Sequence, residues 1–182
     1  AMRRHYIQYD YPAHYLRVSV LFREVFWRDV LQDSYFMLDA FGGCCLYDES
    51  SRNGSAHYGA LGWLLAGDAA TAAANLTDDA LVQSILDALP EFLQHGRALF
   101  VEARVHRWIG AVNGMPGGAV ATSMDDRHMP DPTRRNVFVV GDYLFDSTLN
   151  GVIDSADYVA ETLVERLQAD FQAAPSAVAV LA

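Results

Sequence analysis

Residues 16–22, LRVSVLF, alternate: Leu16, Val18, Val20 and Phe22 face one way, Arg17 and Ser19 the other. A period of two predicts a strand with one face in the core. SYFMLD and CCLYD, separated by AFGG, predict a hairpin turning at Gly42-Gly43. DESSRNGS (48–55) is turn chemistry throughout. HYGALGWLLAG (57–67) is an apolar run broken by Gly59 and Gly62, which suits a buried strand better than a helix.

The pattern then turns helical. AATAAANL is alanine-rich, and Thr77 reads as an N-cap with Asp78 and Asp79 in the first turn. Leu81, Ile85, Leu86 and Leu89 supply the apolar stripe, and Pro90 marks a break before EFLQHG. ALFVEARVHRW (98–108) predicts another strand, AVNGMPGG is irregular, and SMDDRHMPDPTRRN (123–136) reads as a polar loop. VFVV (137–140) predicts a short buried strand. A last long helix runs from about Gly151 to Ala173, with Val152, Val159, Leu163 and Leu167 on one side, and the tail APSAVAVLA is expected to fray. This order of elements points to an α+β fold with a mixed or antiparallel sheet.

Composition narrows the function classes. A chain of 182 residues, 52% hydrophobic and 20% charged, can build one domain with a substantial core or two small ones. A net charge of −10 argues against a broad nucleic-acid-binding surface. No apolar run is long enough to span a bilayer. No charged-then-apolar leader is present, so a cytoplasmic location is expected; Ala1 ahead of Met2 reads as a tag remnant before a native start. The two cysteines, Cys44 and Cys45, are adjacent, which excludes a disulfide framework and fits a reducing compartment. They read as small apolar strand residues or as a strained vicinal disulfide. The six histidines show no metal-ligand spacing, and no metal is assigned.

The stretch VFVVGDYLFDSTLNGVIDSA carries the main candidate chemistry. Ser147, Thr148 and Asn150 can cap the helix that follows, and Gly151 allows close backbone approach. Exposed N–H groups and the helix dipole favour an anion or acceptor there. The other reading is a well-capped helix following a strand.

That stretch resembles the C-terminal FAD-contacting motif of the flavin-containing amine oxidase family, which also takes in desaturases and protoporphyrinogen oxidases. In the family an apolar strand ends in Gly-Glu or Gly-Asp, and a short loop leads to a helix-opening pair. Here those are Gly141-Asp142 and Gly151-Val152. The resemblance implies FAD as cofactor, with Asp142 near its ribityl or pyrophosphate and the backbone from Thr148 to Val152 near the pyrimidine edge. Gly141, Asp142, Thr148, Asn150, Gly151 and Val152 would be the cofactor contacts. RVSVLFREVFWRD (17–29) is similar to the family's substrate-domain strand with its Phe-Trp pair, Phe26-Trp27. GALGWLLAGDAATAAANLTDDALVQSILDAL (59–89) resembles the strand and helix that follow, and HRWIGAVNGMPGG (106–118) the Trp-bearing strand with its Pro/Gly loop. Together these span Tyr15 to Leu167, in order. They imply Arg17, Trp108 and Thr148 as the residues closest to the chemistry.

Departures from the family pattern are as informative. The dinucleotide fingerprint G-x-G-x-x-G does not occur, nor does its ribose-binding acid. The resemblance therefore covers a substrate-binding-like region (1–136), a C-terminal FAD-contacting strand and helix (137–174) and a tail (175–182), or one compact domain of all three. Arg17 stands where amine oxidases usually carry a lysine that holds a water near the flavin; a planar, permanently charged fork is not its equivalent. Arg17 otherwise reads as an exposed strand residue paired with Glu24 or Asp29. Ala119 stands where covalent-flavin members have cysteine, so no thioether is available. The aromatic-cage positions fall on Val120 and Thr148.

Trp108 reads either as lining a cavity near the flavin or as packing in a core. Phe26, Trp27, Trp63 and Leu64 are expected in the core, and Asp48-Glu49 and Asp125-Asp126 as solvated loop charge. The implied function is a partial FAD-dependent oxidoreductase, silent alone, acting on a small organic substrate. An FAD-binding half on another chain or an upstream segment would complete it. The chain would then be a split subunit, a truncated reading frame or an excised domain. The alternative is a non-enzymatic binding module that uses apolar surface around residues 137–163 to form a homo-oligomer.

Overall fold

The computed structural model describes residues 1–50 and 57–173. Most of the turn read at 48–55 and the tail expected to fray lie outside the described residues. Contacts divide the chain into two compact units, Pro12–Val112 and a second made from Ala1–Tyr11 with Asn113 onward.

The first unit is α+β, built on a five-stranded antiparallel sheet. Its strands are β1 (Pro12–Phe22), β2 (Tyr35–Leu38), β3 (Cys44–Asp48), β4 (Gly59–Ala66) and β5 (Phe100–Asn113), in the order β2-β3-β4-β1-β5. β1 begins four residues earlier than the alternation suggests, and β5 runs on through AVN, read as irregular. The β2–β3 hairpin turns where expected: Gly42 and Gly43 have φ of 71° and 98°, a region that favours glycine. Val18 pairs with Trp63 and Trp63 with Leu46, so the inward residues of β1, β4 and β3 line up across the sheet.

Helices α2 (Gly67–Ala73) and α3 (Asp78–Asp87) and a 3-10 segment (Glu91–Leu99) belong to the same unit. Thr77 caps α3 as its sequence requires, its side chain accepting from the Ala80 N–H at 3.3 Å. Leu81, Ile85, Leu86 and Leu89 join Leu16, Phe22, Trp27 and Trp63 in one buried cluster. Each fully buried side chain of this size contributes about 1.5–3 kcal/mol. Phe26 is half-buried and packs edge-on against Trp27, and Leu64 is half-buried on the opposite face of the sheet.

The second unit holds α1 (Met2–Tyr9), α4 (Met124–His128), a single 3-10 turn at Asp142–Leu144 and α5 (Leu149–Ala173). Three expectations are corrected here. The 123–136 segment is not loop throughout: Ser123 caps α4 by accepting from the Asp126 N–H at 3.1 Å. VFVV is not a strand, because a ladder needs a neighbour and none pairs with it among the described residues. Only Val139 and Val137 make loop hydrogen bonds, to His128 and Arg134, and Val140 is 50% exposed. The long helix buries Gly151, Ser155 and Val159, whereas Val152, Leu163 and Leu167 are exposed. Its packed stripe places Gly151 and Ser155 one turn apart ahead of Val159, the one residue of the expected stripe that is buried.

Candidate functional site

The face of the sheet away from the apolar core carries the densest chemistry in the first unit. On β1 the core-facing Leu16, Val18 and Val20 alternate with half-buried Tyr15, Arg17 and Ser19. On β5, Ala103 and Val105 pack on the core, while Arg104, His106 and Trp108 alternate with them. The Tyr15 and Trp108 rings lie 5.5 Å apart across the β1–β5 junction, and His106 stacks on Trp108 at 6.0 Å. Arg17 and Trp108 therefore share one sheet face. Trp108 is 40% exposed, which corrects the reading that places it in a core.

Arg17 does not pair with Glu24 or Asp29. Its Nη2 donates to Glu49 Oε1, and Glu49 Oε2 accepts from the Ser19 hydroxyl at 3.2 Å. Glu49 is no solvated loop charge: its side chain keeps only 16% of its exposure, against 35% for Arg17. Gly62 makes room for it. A Cβ there would collide with the Glu49 carboxylate, and the three nearest atoms all belong to Glu49. Gly62 pairs with Ser19 on one side and Tyr47 on the other, so the carboxylate lies over the middle of the sheet. The sequence signal for this was a glycine interrupting an apolar strand, which marks close approach by another group. Burial pushes the Tyr15 phenol above its ordinary range, partly offset by the Arg17 charge, and it stays a neutral donor.

The remaining expected residues gather in the second unit at the start of α5. The Thr148 hydroxyl accepts from the Gly151 N–H at 3.1 Å, and the Thr148 carbonyl accepts from the Val152 N–H at 3.2 Å. Thr148 is thus the N-cap. Gly151 is buried, and a Cβ there would collide with the Asp146 carbonyl, so its missing side chain serves the Asp146 turn. The Gly141 N–H donates to the Ser155 hydroxyl at 3.0 Å, and Asp142 Oδ1 accepts from the Tyr143 N–H at 2.9 Å. The N–H groups of Gly141, Gly151 and Val152 are therefore spent within the chain. Leu149 and Asn150, both exposed, present the first turn of the helix outward. Val120, at the other expected cage position, is 62% exposed.

Sequence reasoning also missed His128 and Ser155, which are fully buried and hold the Gly141 loop against α5. A cavity of about 330 Å3 adjoins that loop, lined by His5, Tyr6, Tyr9, Val139 and Tyr143. Among the described residues no cluster of histidine, cysteine or acidic side chains could hold a metal ion. No described helix is long and apolar enough to cross a membrane.

The family model described as flavin containing amine oxidoreductase matches residues 13–164. The chain belongs to that family. The match runs from the start of β1 into α5, so both groups of residues fall inside it. No single curated protein matches the chain. As a flavin-containing amine oxidoreductase family member it has an oxidoreductase-related, flavin-linked ancestry. The outward first turn of α5, at Leu149 and Asn150, offers backbone donors and a positive dipole end to an acceptor group, while the space beside Gly151 is filled by Asp146.

Proposed function

We propose that this chain is the substrate-binding and C-terminal flavin-contacting portion of an FAD-dependent oxidoreductase. The observation that carries the reading is the family match over residues 13–164, spanning the sheet and the start of α5. Flavin, when bound, supplies the two-electron acceptor that takes hydride from an organic substrate. Arg17 and Trp108 would orient that substrate on the sheet face, with Arg17 held in place by Glu49. Leu149 and Asn150 would meet the cofactor edge with backbone N–H groups, and Gly141, Asp142, Thr148, Gly151 and Val152 would shape the approach to it. The sequence has no G-x-G-x-x-G cradle for the pyrophosphate, so an FAD-binding half on another chain or an upstream segment would complete the site, and the chain would be silent without it. The unpaired VFVV segment, exposed at Val137 and Val140, supports docking of such a half beside it. The free Cys44 and Cys45 support a reducing, cytoplasmic setting.

Flavin absorbance after desalting tests this directly. The chain alone should lose added FAD, and should retain it when co-expressed with a half bearing the fingerprint. A chain that stays colourless beside that half, or that reduces flavin unaided, contradicts the reading.

A second reading is favoured by one observation. On α5, Leu149, Ile153, Val164, Leu167 and Phe171 are all more than half exposed, an apolar surface of the kind partners cover. A non-enzymatic module that self-associates through α5 would elute as a stable colourless homo-oligomer in size exclusion, at a mass unchanged by FAD.

A further inference from the structure

From the sheet face we infer that the substrate side of this protein takes a flat, apolar molecule bearing a carboxylate or other anionic acceptor, and refuses the ammonium substrates that define amine oxidation. The inference rests on the reading of that face as the substrate side. An ammonium group needs an available carboxylate or an electron-rich aromatic cage, and the Tyr15 and Trp108 rings, with centroids 5.5 Å apart, pack on one another and do not enclose a cation-sized gap. The carboxylate on the middle of this face, Glu49, is engaged by both Arg17 and Ser19. Because it fills the space above Gly62, it has little room to turn elsewhere. Among the described residues, the charge left to meet a ligand beside Trp108 is that of the unbonded guanidinium N–H groups of Arg17. Glu102 lies about 20 Å along β5 from Trp108 at strand spacing, beyond the reach of a small molecule centred there.

The apolar body of the ligand follows from the rings. Trp108 stands between Tyr15 and His106 with 40% of its surface open, and Leu64 and Cys45 continue the half-buried surface across β4 and β3. Rings of this kind bind flat π-systems by stacking. Arg17 beside them adds a planar fork suited to a carboxylate.

Tryptophan emission of the full chain reports binding, because Trp27 and Trp63 are fully buried and Trp108 is open. The probes are 2-naphthoate and 2-naphthylmethylamine, which share a ring system and differ in charge. At neutral pH naphthoate should quench Trp108 with an affinity at least about tenfold above that of the ammonium probe, the scale of one charge-assisted hydrogen bond. Trp108→Phe should abolish the quenching. Arg17→Met should reverse the order of the two probes, because it leaves Glu49 as an unpaired carboxylate on the face. Glu49→Gln, which keeps the shape and the hydrogen bonds, should raise the naphthoate preference, and carries the test if Arg17→Met does not fold.

Equal affinities, a preference for the ammonium probe, binding of neither, or an unchanged ratio in either folded variant overturns the inference. Flavin retention is measured separately. Ammonium preference in a chain that retains flavin sinks only this inference, and naphthoate preference in a chain that never retains flavin sinks only the proposed function.

Discussion

His128 Nε2 lies 3.0 Å from the Ser155 hydroxyl, and both side chains are fully buried. The other ring nitrogen, Nδ1, is 2.8 Å from the Met124 carbonyl, which can only accept. Nδ1 is therefore assigned the proton, and Nε2 accepts from Ser155. The same hydroxyl accepts the Gly141 N–H, so one oxygen joins α4, the Gly-Asp loop and α5. Ser155→Ala would leave a buried ring nitrogen and a backbone N–H without partners. A loss of about 1–3 kcal/mol is expected in urea denaturation. A loss below about 0.5 kcal/mol, the range of ordinary surface changes, would contradict this role.

The same histidine makes stability depend on pH. Burial holds the His128 imidazole below its ordinary range, and burial with the nearby His128 charge does the same to His5. Both groups are then neutral in the fold but protonate at about 6.5 when unfolded. Below that pH the unfolded chain binds more protons, so stability is complete above about 6.5 and is lost as pH falls toward the lowered folded values. The urea midpoint should drop between about pH 7.5 and pH 5.5. His128→Gln, which keeps an acceptor for Ser155 and a donor for Met124, should flatten that drop. A midpoint indifferent to pH over this window, or a drop unchanged in His128→Gln, would show that these imidazoles do not govern it.

The adjacent cysteines should behave as two different thiols. Successive residues of a strand point to opposite faces. Cys44 sits in the core at 2% exposure, and burial together with Cys45 pushes its thiol up to about 11. Cys45 is half-buried on the other face, its Sγ 3.1 Å from Met37 Sδ. Native protein treated with a thiol-specific disulfide reagent should release the equivalent of one thiol, rising to two on unfolding. Cys45→Ser should abolish the native reaction. Two fast native thiols would contradict the placement of Cys44.

How much of this could be read from the sequence differs by element. The alternation of β1 was legible because burial on one face is a local property of spacing, and it correctly put Arg17 and Ser19 opposite Val18. Glu49 was not, because its partner lies 32 positions back and meets it only through the pairing of β1, β4 and β3. VFVV was misread because apolar runs report burial, whereas a strand also needs a neighbour to bond. On α5 the expected stripe of Val152, Val159, Leu163 and Leu167 holds only at Val159, which makes the contact together with Gly151 and Ser155. Gly151 and Ser155 carry little hydrophobic signal, so their share of the packed stripe is faint in any apolar pattern. The start of α5 was legible because the caps are local chemistry, and Thr148 acts as its residue type suggests.

Gly62 offers a test of the sheet face with a change of sign. Glycine within a strand ordinarily costs roughly 0.5–1 kcal/mol relative to alanine. Gly62→Ala on its own should nevertheless destabilise the protein, because the new Cβ would displace the Glu49 carboxylate from Arg17 and Ser19. Arg17 is a third exposed, so a loss of about 0.5–1.5 kcal/mol is expected rather than the larger cost of a fully buried pair. In a Glu49→Ala background the obstruction is gone, since the three nearest atoms to the added Cβ all belong to Glu49. There Gly62→Ala should stabilise, by the roughly 0.5–1 kcal/mol of restored strand preference. The difference between the two backgrounds is a coupling energy that distant, independent sites do not show. If Gly62→Ala has the same effect in both backgrounds, the carboxylate does not lie over the glycine, and the account of Arg17 as a residue held from beneath by Glu49 falls with it.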